Sequence, residues 1–404
     1  MSKILIIGNG FDLSHGLPTK YEDFLDFCIL WDHMIKYKGL SRYNDAVTNL
    51  KKAKTQIDVD SIINRHVENA IGCVFESQIA LLESDYSTIG NIFKKHTITE
   101  PVSGKAQTIK EIFEGLITNN VWIEYFGSVR GIIGENWIDF ETEISDVLNH
   151  LNEIEKMPAA DAQKSKYKVI KVAYTKWETE YATKLVMNDE NRLRTSFVDK
   201  LYNDLNALIR ALEIYFSVVV ENIEVKERQA VISNEQFDLV LSFNYTDTYR
   251  RVYQPEMDDK HICFIHGKAK LENSIESCNL ILGVQKTIKK DDEEDPAMLV
   301  FKKYYQRIFR GTDSRYLDWL TNLERFKDQK YDISIFGHSL DVTDQEVLKS
   351  FIDNKRCKTT IYHHNRASMG LQIRNLFQFI DHDTMIRMSG GVSPSIRFLS
   401  QNEV

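Results

Sequence analysis

Residues 4–19 read ILIIGNGFDLSHGLPT, and this stretch decides the fold class. Ile4 to Ile7 form an apolar run without alternation, the pattern of a strand buried on both faces of a parallel sheet. Gly8 and Gly10 follow at once, and glycines at such a place let the backbone turn sharply and approach a ligand closely. Residues 19–22 (TKYE) have the spacing of a capping box, which predicts that a helix begins near residue 20. The stretch therefore predicts a strand, a glycine turn and a helix whose amide groups point toward a bound phosphate.

The glycine turn fits the dinucleotide-binding fingerprint only in part. Gly8 and Gly10 match, but Leu13 stands where a third glycine is expected, and the next glycine is Gly16. A tight turn from strand to helix without any ligand is the alternative interpretation.

Working outward, apolar runs of strand length cluster toward the two ends of the chain. After residues 4–7 they lie at 237–243, 262–265, 280–282, 333–336 and 360–362, with 385–388 and 396–399 as further candidates. Residues 45–230 instead carry apolar stripes at helical spacing. We therefore expect an α/β core of residues 1–44 and 231–404, with a mostly parallel Rossmann-like sheet flanked by helices, and an all-helical insertion over residues 45–230.

Composition narrows the class of protein. The 404 residues are 43% apolar and 27% charged, which excludes a mostly disordered chain. The 59 acidic residues outnumber the 51 basic ones and give a net charge of −8. Because sequence-independent binding to duplex nucleic acid usually requires a basic surplus, this balance argues against it.

The five cysteines are odd in number and include no Cys-x-x-Cys pair. They support neither a disulfide framework nor a zinc ribbon, and we expect no metal. The apolar run at residues 4–7 is too short for a signal peptide, and no run approaches the ~18 residues of a membrane span. We therefore expect a cytoplasmic protein with no membrane partner.

Polar residues follow nearly every predicted strand. They are Asn9, Asn244, His266, the run Gly337-His338-Ser339 and the run His363-His364-Asn365. In an open parallel sheet, ligands bind outside the carboxyl ends of the strands. A lone histidine is more often a structural group, but five such positions together predict one polar pocket.

The same positions carry a family resemblance. The motifs GNGFDL at residues 8–13, GLPT at 16–19, FNYT at 243–246, IHG at 265–267 and GHSL at 337–340 resemble the bacterial abortive-infection AbiH proteins. Residues 137–141 (WIDFE), inside the predicted helical insertion, are also similar to that family. The resemblance implies a role in defence against phage, with a phage-derived trigger and a second copy of the chain as candidate partners.

AbiH proteins in turn resemble sirtuin-like NAD-binding domains, which implies site roles. Gly8 and Gly10 would face the pyrophosphate, Asn244 the nicotinamide ribose, and Ser339 and Asn365 the adenosine half, while His266 would be the base. The residues expected to bind NAD are Gly8, Asn9, Gly10, Phe11, Gly337, His338, Ser339 and Asn365. The four-cysteine zinc module of protein deacylases is absent from this sequence, and Asn9 replaces a small residue of the sirtuin turn, so deacylation is in doubt.

These residue types suit cleavage of the bond between nicotinamide and ribose, which develops oxocarbenium character at the ribose. His266 suits a base because an imidazole has a pKa of ~6.5. Asn244 can orient a water or a hydroxyl without titrating. Asp12 would either stabilise positive charge or cap the turn.

Other chemistries are less favoured. Ser339 follows His338, but the serine-hydrolase elbow is missing because Asp341 stands where its last glycine would be. Asp139 and Glu141 are two apart and do not face each other on a helix, so solvated or capping roles are expected, with a pocket role left open; Trp137 is expected in the core. The sequence thus predicts an anti-phage effector that binds and hydrolyses NAD. The alternatives are a nucleotide sensor without turnover and, less favoured, a nucleic-acid-processing module.

Overall fold

Six parallel strands form one sheet in the computed structural model, which describes residues 2–36, 93, 96–99, 106–133, 139–184, 190–285, 289–290, 293–294, 296–326 and 328–402. The strands are β1 (Ser2–Ile7), β2 (Leu239–Ser242), β3 (Ile262–Phe264), β4 (Tyr331–Phe336), β5 (Cys357–His363) and β6 (Ile396–Ser400). Their spatial order is β3-β2-β1-β4-β5-β6, and every neighbouring pair is parallel. The order reverses between β1 and β4, which is where open sheets of this kind form a crevice at their carboxyl ends.

The helices of the described ranges pack on both faces of the sheet and beyond its carboxyl edge. They are α1 (Asn9–Ser14), α2 (Tyr21–Lys36), α3 (Ile109–Ile117), α4 (Val121–Ile133), α5 (Phe140–Asn149), α6 (Leu151–Lys156), α7 (Ala159–Ala162), α8 (Lys168–Lys184), α9 (Glu190–Val218), α10 (Ala230–Ser233), α11 (Thr248–Val252), α12 (Lys303–Phe309), α13 (Tyr316–Arg325), α14 (Gln345–Ile352), α15 (Arg366–Leu376) and α16 (His382–Ser389). Two short antiparallel ribbons, which pair residues 97–99 with 106–108 and 289–290 with 293–294, lie outside the sheet. The first of them corrects the expectation that residues 45–230 are all helical.

The central strands are buried on both faces, which explains their unalternating sequence. Ile4 and Ile6 pack into one hydrophobic cluster with α13 and α14, whereas Leu5 and Ile7 pack into another with α1 and α10. Because consecutive side chains of a strand point to opposite faces, every residue of the run must be apolar. The predicted α/β class with a mostly parallel sheet is confirmed.

Two of the strand predictions are wrong. Residues 280–282 form no strand; Leu280 and Leu282 are buried in the helical core, and the Gln306 side chain bonds both the N–H and the carbonyl of Leu282. Residues 385–388 lie within helix α16. A short apolar run fits a strand, a buried helix or an irregular buried segment equally well, so periodicity could not separate them.

The helical layer has its own hydrophobic core. It includes the predicted helical stripes, among them Phe113, Leu148 and Leu205, but also α2 and residues 278–301. The boundaries predicted for the insertion stay a prediction, although this core is not confined to residues 45–230. Among the described helices, none is both long and apolar enough to cross a membrane.

The glycine turn after β1 packs directly against the backbone of the loop that follows β4. The N–H of Gly10 donates to the carbonyl of Gly337 at 2.8 Å, and Gly337 has a φ of +67°. A Cβ on Gly8 or Gly10 would lie within 2.9 Å of the 337–338 backbone. The glycines therefore let the loops that follow β1 and β4 approach each other, whereas the sequence had predicted the approach of a ligand.

The helix near residue 20 is confirmed, since α2 begins at Tyr21, but its predicted cap is wrong. The Thr19 hydroxyl donates to the Asn9 side chain at 2.5 Å, and the Asp23 carboxylate accepts from the N–H of Lys20 instead. The unexpected element is α1, which begins at Asn9, directly after the strand.

Replacing Gly10 with valine is expected to destabilise the protein by about 3 kcal/mol or more, because the new side chain meets backbone atoms that cannot move aside. Gly115→Val is the control, since a Cβ there has no neighbour within 4 Å. Urea unfolding measures both. Equal stability of the two variants would contradict the backbone-contact account.

Candidate functional site

His266 lies just beyond the carboxyl end of β3 and is held there by a tight turn that requires glycine at the next position. The next residue, Gly267, has a φ of +84°, and a Cβ on it would come within 2.2 Å of the Asn279 carbonyl. The imidazole Nε2 lies 3.1 Å from Oδ1 of Asp344, and the side chain is 8% exposed. The turn therefore places the ring in a buried position against a carboxylate.

Asp344 is the centre of the cluster. It ends a 3₁₀ turn, Val342–Asp344, and its second oxygen lies 3.5 Å from Nε2 of His338. The N–H of Leu340 donates to Nδ1 of His338, so the proton of that imidazole is assigned to Nε2, facing Asp344. Two histidines that follow separate strands thus share one carboxylate.

Lys303, the first residue of α12, links Asp344 to the helical layer. Its Nζ lies 3.4 Å from Asp344 and 2.9 Å from the Glu141 carboxylate, and its side chain is 3% exposed. Glu141 lies in the first turn of α5, whose N-cap is Asp139. We call Glu141, His266, Lys303, His338 and Asp344 the ion-pair cluster.

The charges of the cluster do not balance. Burial would raise the pKa of Asp344, but Lys303 and His266 hold it well below its usual value. Burial raises the pKa of Glu141 to about 7, although Lys303 opposes this. Burial would lower the pKa of Lys303, but Asp344 and Glu141 raise it above its usual value. Lys303 therefore faces an ionised Asp344 and, at pH 7, a Glu141 that is about half ionised, so the negative surplus within the cluster grows as the pH rises through 7.

His266 has the state that a general base requires. Burial lowers its pKa to about 4, with Asp344 opposing, so the imidazole is neutral at pH 7. Its Nε2–H donates to the Asp344 carboxylate, which leaves the lone pair on Nδ1. That atom is buried and has no hydrogen-bond partner. A neutral imidazole oriented by a carboxylate, with a free lone pair, can accept a proton from a bound water or hydroxyl.

Asp12 and Asn244 belong to a second polar group. The Thr246 hydroxyl donates to Asp12 at 2.5 Å, and Thr248 donates to Thr246. Burial raises the pKa of Asp12 to about 6, while Thr246, Thr248 and the nearby Asn244 amide lower it. Oδ1 of Asp12 and Nδ2 of Asn244 are nevertheless buried without a well-formed hydrogen bond. The hydrogen bond of the His266 imidazole is to Asp344, and Asn244 does not contribute to it.

The remaining predicted residues are more dispersed. The Phe11 ring is fully buried against His15, Tyr253 and Phe336. Ser339 and Asn365 are exposed; Asn365 caps α15 by accepting from the N–H of Ser368. Asn9 is also exposed. The structure thus brings the predicted residues together in three groups: Gly8, Gly10 and Gly337; Asp12 and Asn244; and His266 and His338. That all of them line one common cavity stays a prediction.

Sequence reasoning missed Asp344 and Lys303. Asp344 follows no strand directly, and Lys303 is the second of two lysines before a helix, a pattern typical of a solvated surface. Of the WIDFE motif, the capping role of Asp139 is confirmed and Glu141 belongs to the ion-pair cluster, while Trp137 lies outside the described residues.

The fold and the site together define a doubly wound α/β protein with a buried histidine–carboxylate cluster at the carboxyl edge of its sheet. The family model "Bacteriophage abortive infection AbiH" matches residues 4–364, which include the whole cluster. The chain therefore belongs to the AbiH family, and its family role is abortive infection against bacteriophage. No curated protein and no solved structure matches the chain.

Proposed function

We propose that this AbiH protein acts in phage defence by binding NAD at the carboxyl edge of the sheet and hydrolysing its nicotinamide–ribose bond. The observation that carries the proposal is the free, buried Nδ1 of His266, whose ring is oriented by Asp344. The strand order β3-β2-β1-β4-β5-β6 supports it as well, because the doubly wound dinucleotide-binding folds use this order. The resemblance of the motifs to sirtuin-like domains points the same way.

The proposed reaction is written with His266 as the base. The bond between the ribose C1′ and the pyridinium nitrogen breaks, and its electron pair leaves with nicotinamide, which becomes neutral. A water adds to C1′ and gives a proton to Nδ1 of His266, so the products are nicotinamide, ADP-ribose and one proton. The carboxylate of Asp344, and that of Glu141 above its pKa of about 7, favour the cationic ring before cleavage and the oxocarbenium character during it.

The Asp12–Asn244 group would hold the ribose in this scheme. Oδ1 of Asp12 and Nδ2 of Asn244, which lie near each other without a well-formed hydrogen bond, can accept from and donate to ribose hydroxyls. Asp12, with a pKa of about 6, is largely ionised at pH 7 and adds negative charge near the forming cation.

One observation favours the sensor alternative, in which nucleotide binds without turnover. The His266 side chain is 8% exposed, and Lys303 and Glu141 join across the same region. A site that stays closed around its base would admit no water.

The test is to incubate the purified protein with NAD at pH 7.5 and measure free nicotinamide. We expect the rate of release to fall as the pH drops from 7.5 to 5, because Glu141 and Asp12, with pKa values of about 7 and about 6, take up protons there while His266, with a pKa of about 4, stays unprotonated. Calorimetric binding of NAD with no nicotinamide release would instead establish the sensor function.

A further inference from the structure

Helix α12 presents a second basic residue toward the ion-pair cluster. Lys303 and Arg307 are four residues apart and therefore lie on one face of the helix. Gln306 fixes the rotation of the helix by bonding both backbone groups of Leu282, while Tyr304 and Ile308 face solvent and are 50% and 81% exposed. The inward face of α12 thus carries the cation of the cluster and, one turn later, an arginine.

The Arg307 guanidinium has no protein partner among the residues that the structure describes. Its Nε is buried without a hydrogen bond, and no ion pair of the described chain involves it. It nevertheless lies toward the proposed base: Lys303, one turn earlier on the same helix face, is 3.4 Å from Asp344, and Asp344 bonds His266 at 3.1 Å. The charge of Arg307 accordingly adds to that of Lys303 in lowering the pKa of His266. The buried Nε–H without a partner carries a desolvation cost that a bound ligand can remove.

In a dinucleotide-binding fold the glycine turn usually binds the phosphates, but here the turn is occupied by a contact with the Gly337 backbone. The Gly10 N–H donates to the carbonyl of Gly337, and the two backbones are too close for a Cβ, let alone a phosphate, between them. A nucleotide bound beside His266 needs another donor for its diphosphate. A guanidinium suits this because its N–H groups match phosphate oxygens in a bidentate arrangement.

We propose that Arg307 binds the diphosphate of the nucleotide whose glycosidic bond faces His266. This inference rests on the proposed function for its nucleotide substrate, but it concerns binding and not cleavage. The chemistry recognised is a nucleoside diphosphate, of which ADP is the simplest probe because it has no bond for the enzyme to cleave.

The experiment is calorimetric titration of the wild type, Arg307→Gln and Arg307→Lys with ADP, pyrophosphate and adenosine. We expect Arg307→Gln to bind ADP about 10–100-fold more weakly, the loss typical of a charge-assisted hydrogen bond, and to bind adenosine as the wild type does. Arg307→Lys keeps the charge and should fall between the two. The control is Arg374→Gln, which removes the same charge from an exposed position on α15 and should leave ADP affinity unchanged.

Thermal unfolding separates a binding role from a structural one. Because Arg307 has no protein partner, Arg307→Gln should melt at the wild-type temperature or above it. Equal ADP affinity in the wild type and Arg307→Gln, an equal loss for adenosine, or no ADP binding by the wild type would overturn the proposal. Binding of pyrophosphate without ADP would also overturn it, in favour of a free-diphosphate site. A wild type that binds ADP through Arg307 yet never cleaves NAD would refute the proposed function alone.

Discussion

Replacement of His266 by alanine is expected to lower nicotinamide release by about 10²–10⁴-fold, the usual loss when a positioned general base is removed. The effect should fall on turnover and not on folding. Asp344 keeps its contacts with Lys303 and His338 in the variant, so its buried charge remains compensated. The measurement is the initial rate of nicotinamide release, together with the urea midpoint of each protein.

Two further variants make this result interpretable. His266→Gln can still donate a hydrogen bond to Asp344 but has no titrating lone pair, so it should be as inactive as His266→Ala and better folded. His150→Ala is the matched control, because His150 also contacts a carboxylate, Asp146, but is 39% exposed in the helical layer. A His266→Gln variant that releases nicotinamide at the wild-type rate would remove His266 from the mechanism.

Lys303→Met is expected to destabilise the protein by about 3–5 kcal/mol at pH 8, which is typical when one partner of a buried ion pair is removed. Both Glu141 and Asp344 would lose their nearest cation, and their side chains are only 14% and 12% exposed. Lys200→Met is the control, since its pair with Asp204 is partly exposed and such pairs contribute less than about 1 kcal/mol. Urea unfolding of the wild type, Lys303→Met and Lys200→Met measures the difference.

The free energy of unfolding that Lys303→Met removes should depend on pH, because Glu141 titrates near neutral pH. The folded-state pKa of Glu141 is raised from 4.5 to about 7, so its contribution to stability is full below pH 4.5 and is lost as the pH rises through 7. Without Lys303, which lowers the pKa of Glu141, the carboxyl can be neutralised by a proton, and this costs less free energy at pH 6 than at pH 8. The loss of stability caused by Lys303→Met should therefore be smaller at pH 6 than at pH 8. The double variant Lys303→Met/Glu141→Gln should be more stable at pH 8 than Lys303→Met alone. A cost independent of pH, with no recovery, would mean that the ion-pair cluster does not hold these charges.

The ion-pair cluster also explains how the two hydrophobic cores are joined. Glu141 belongs to the helical layer, Asp344 and His266 belong to loops of the sheet, and Lys303 contacts both sides. A change in the helical layer would reach the proposed base through one lysine. This is the physical route by which a trigger could control turnover.

The sequence predicted the sheet because burial on both faces forces an unalternating apolar run, as at Ile4–Ile7. It could not place residues 280–282, whose apolar run is just as clear, because the Gln306 clamp that decides their conformation comes from a distant helix. A local apolar pattern indicates that a segment is buried, but it does not show which distant element the segment packs against.

Only part of the candidate site could be predicted from local sequence patterns. His266 and His338 follow strands of the sheet, so the rule for strand ends found them. Asp344 and Lys303 come from a 3₁₀ turn and a helix start, where charged residues are usually solvated, so nothing local marks them as buried. Gly10 was identified as a close approach, but the sequence could not tell that the approaching group is the Gly337 backbone and not a phosphate.

The most direct test of the central claim is the NAD content of infected cells. Cells expressing the wild type or His266→Gln are challenged with a phage against which the wild type protects, and NAD and nicotinamide are measured through the infection. The account predicts that NAD falls and nicotinamide rises only with the wild type, and that His266→Gln loses protection. Constant NAD in protected wild-type cells would contradict it.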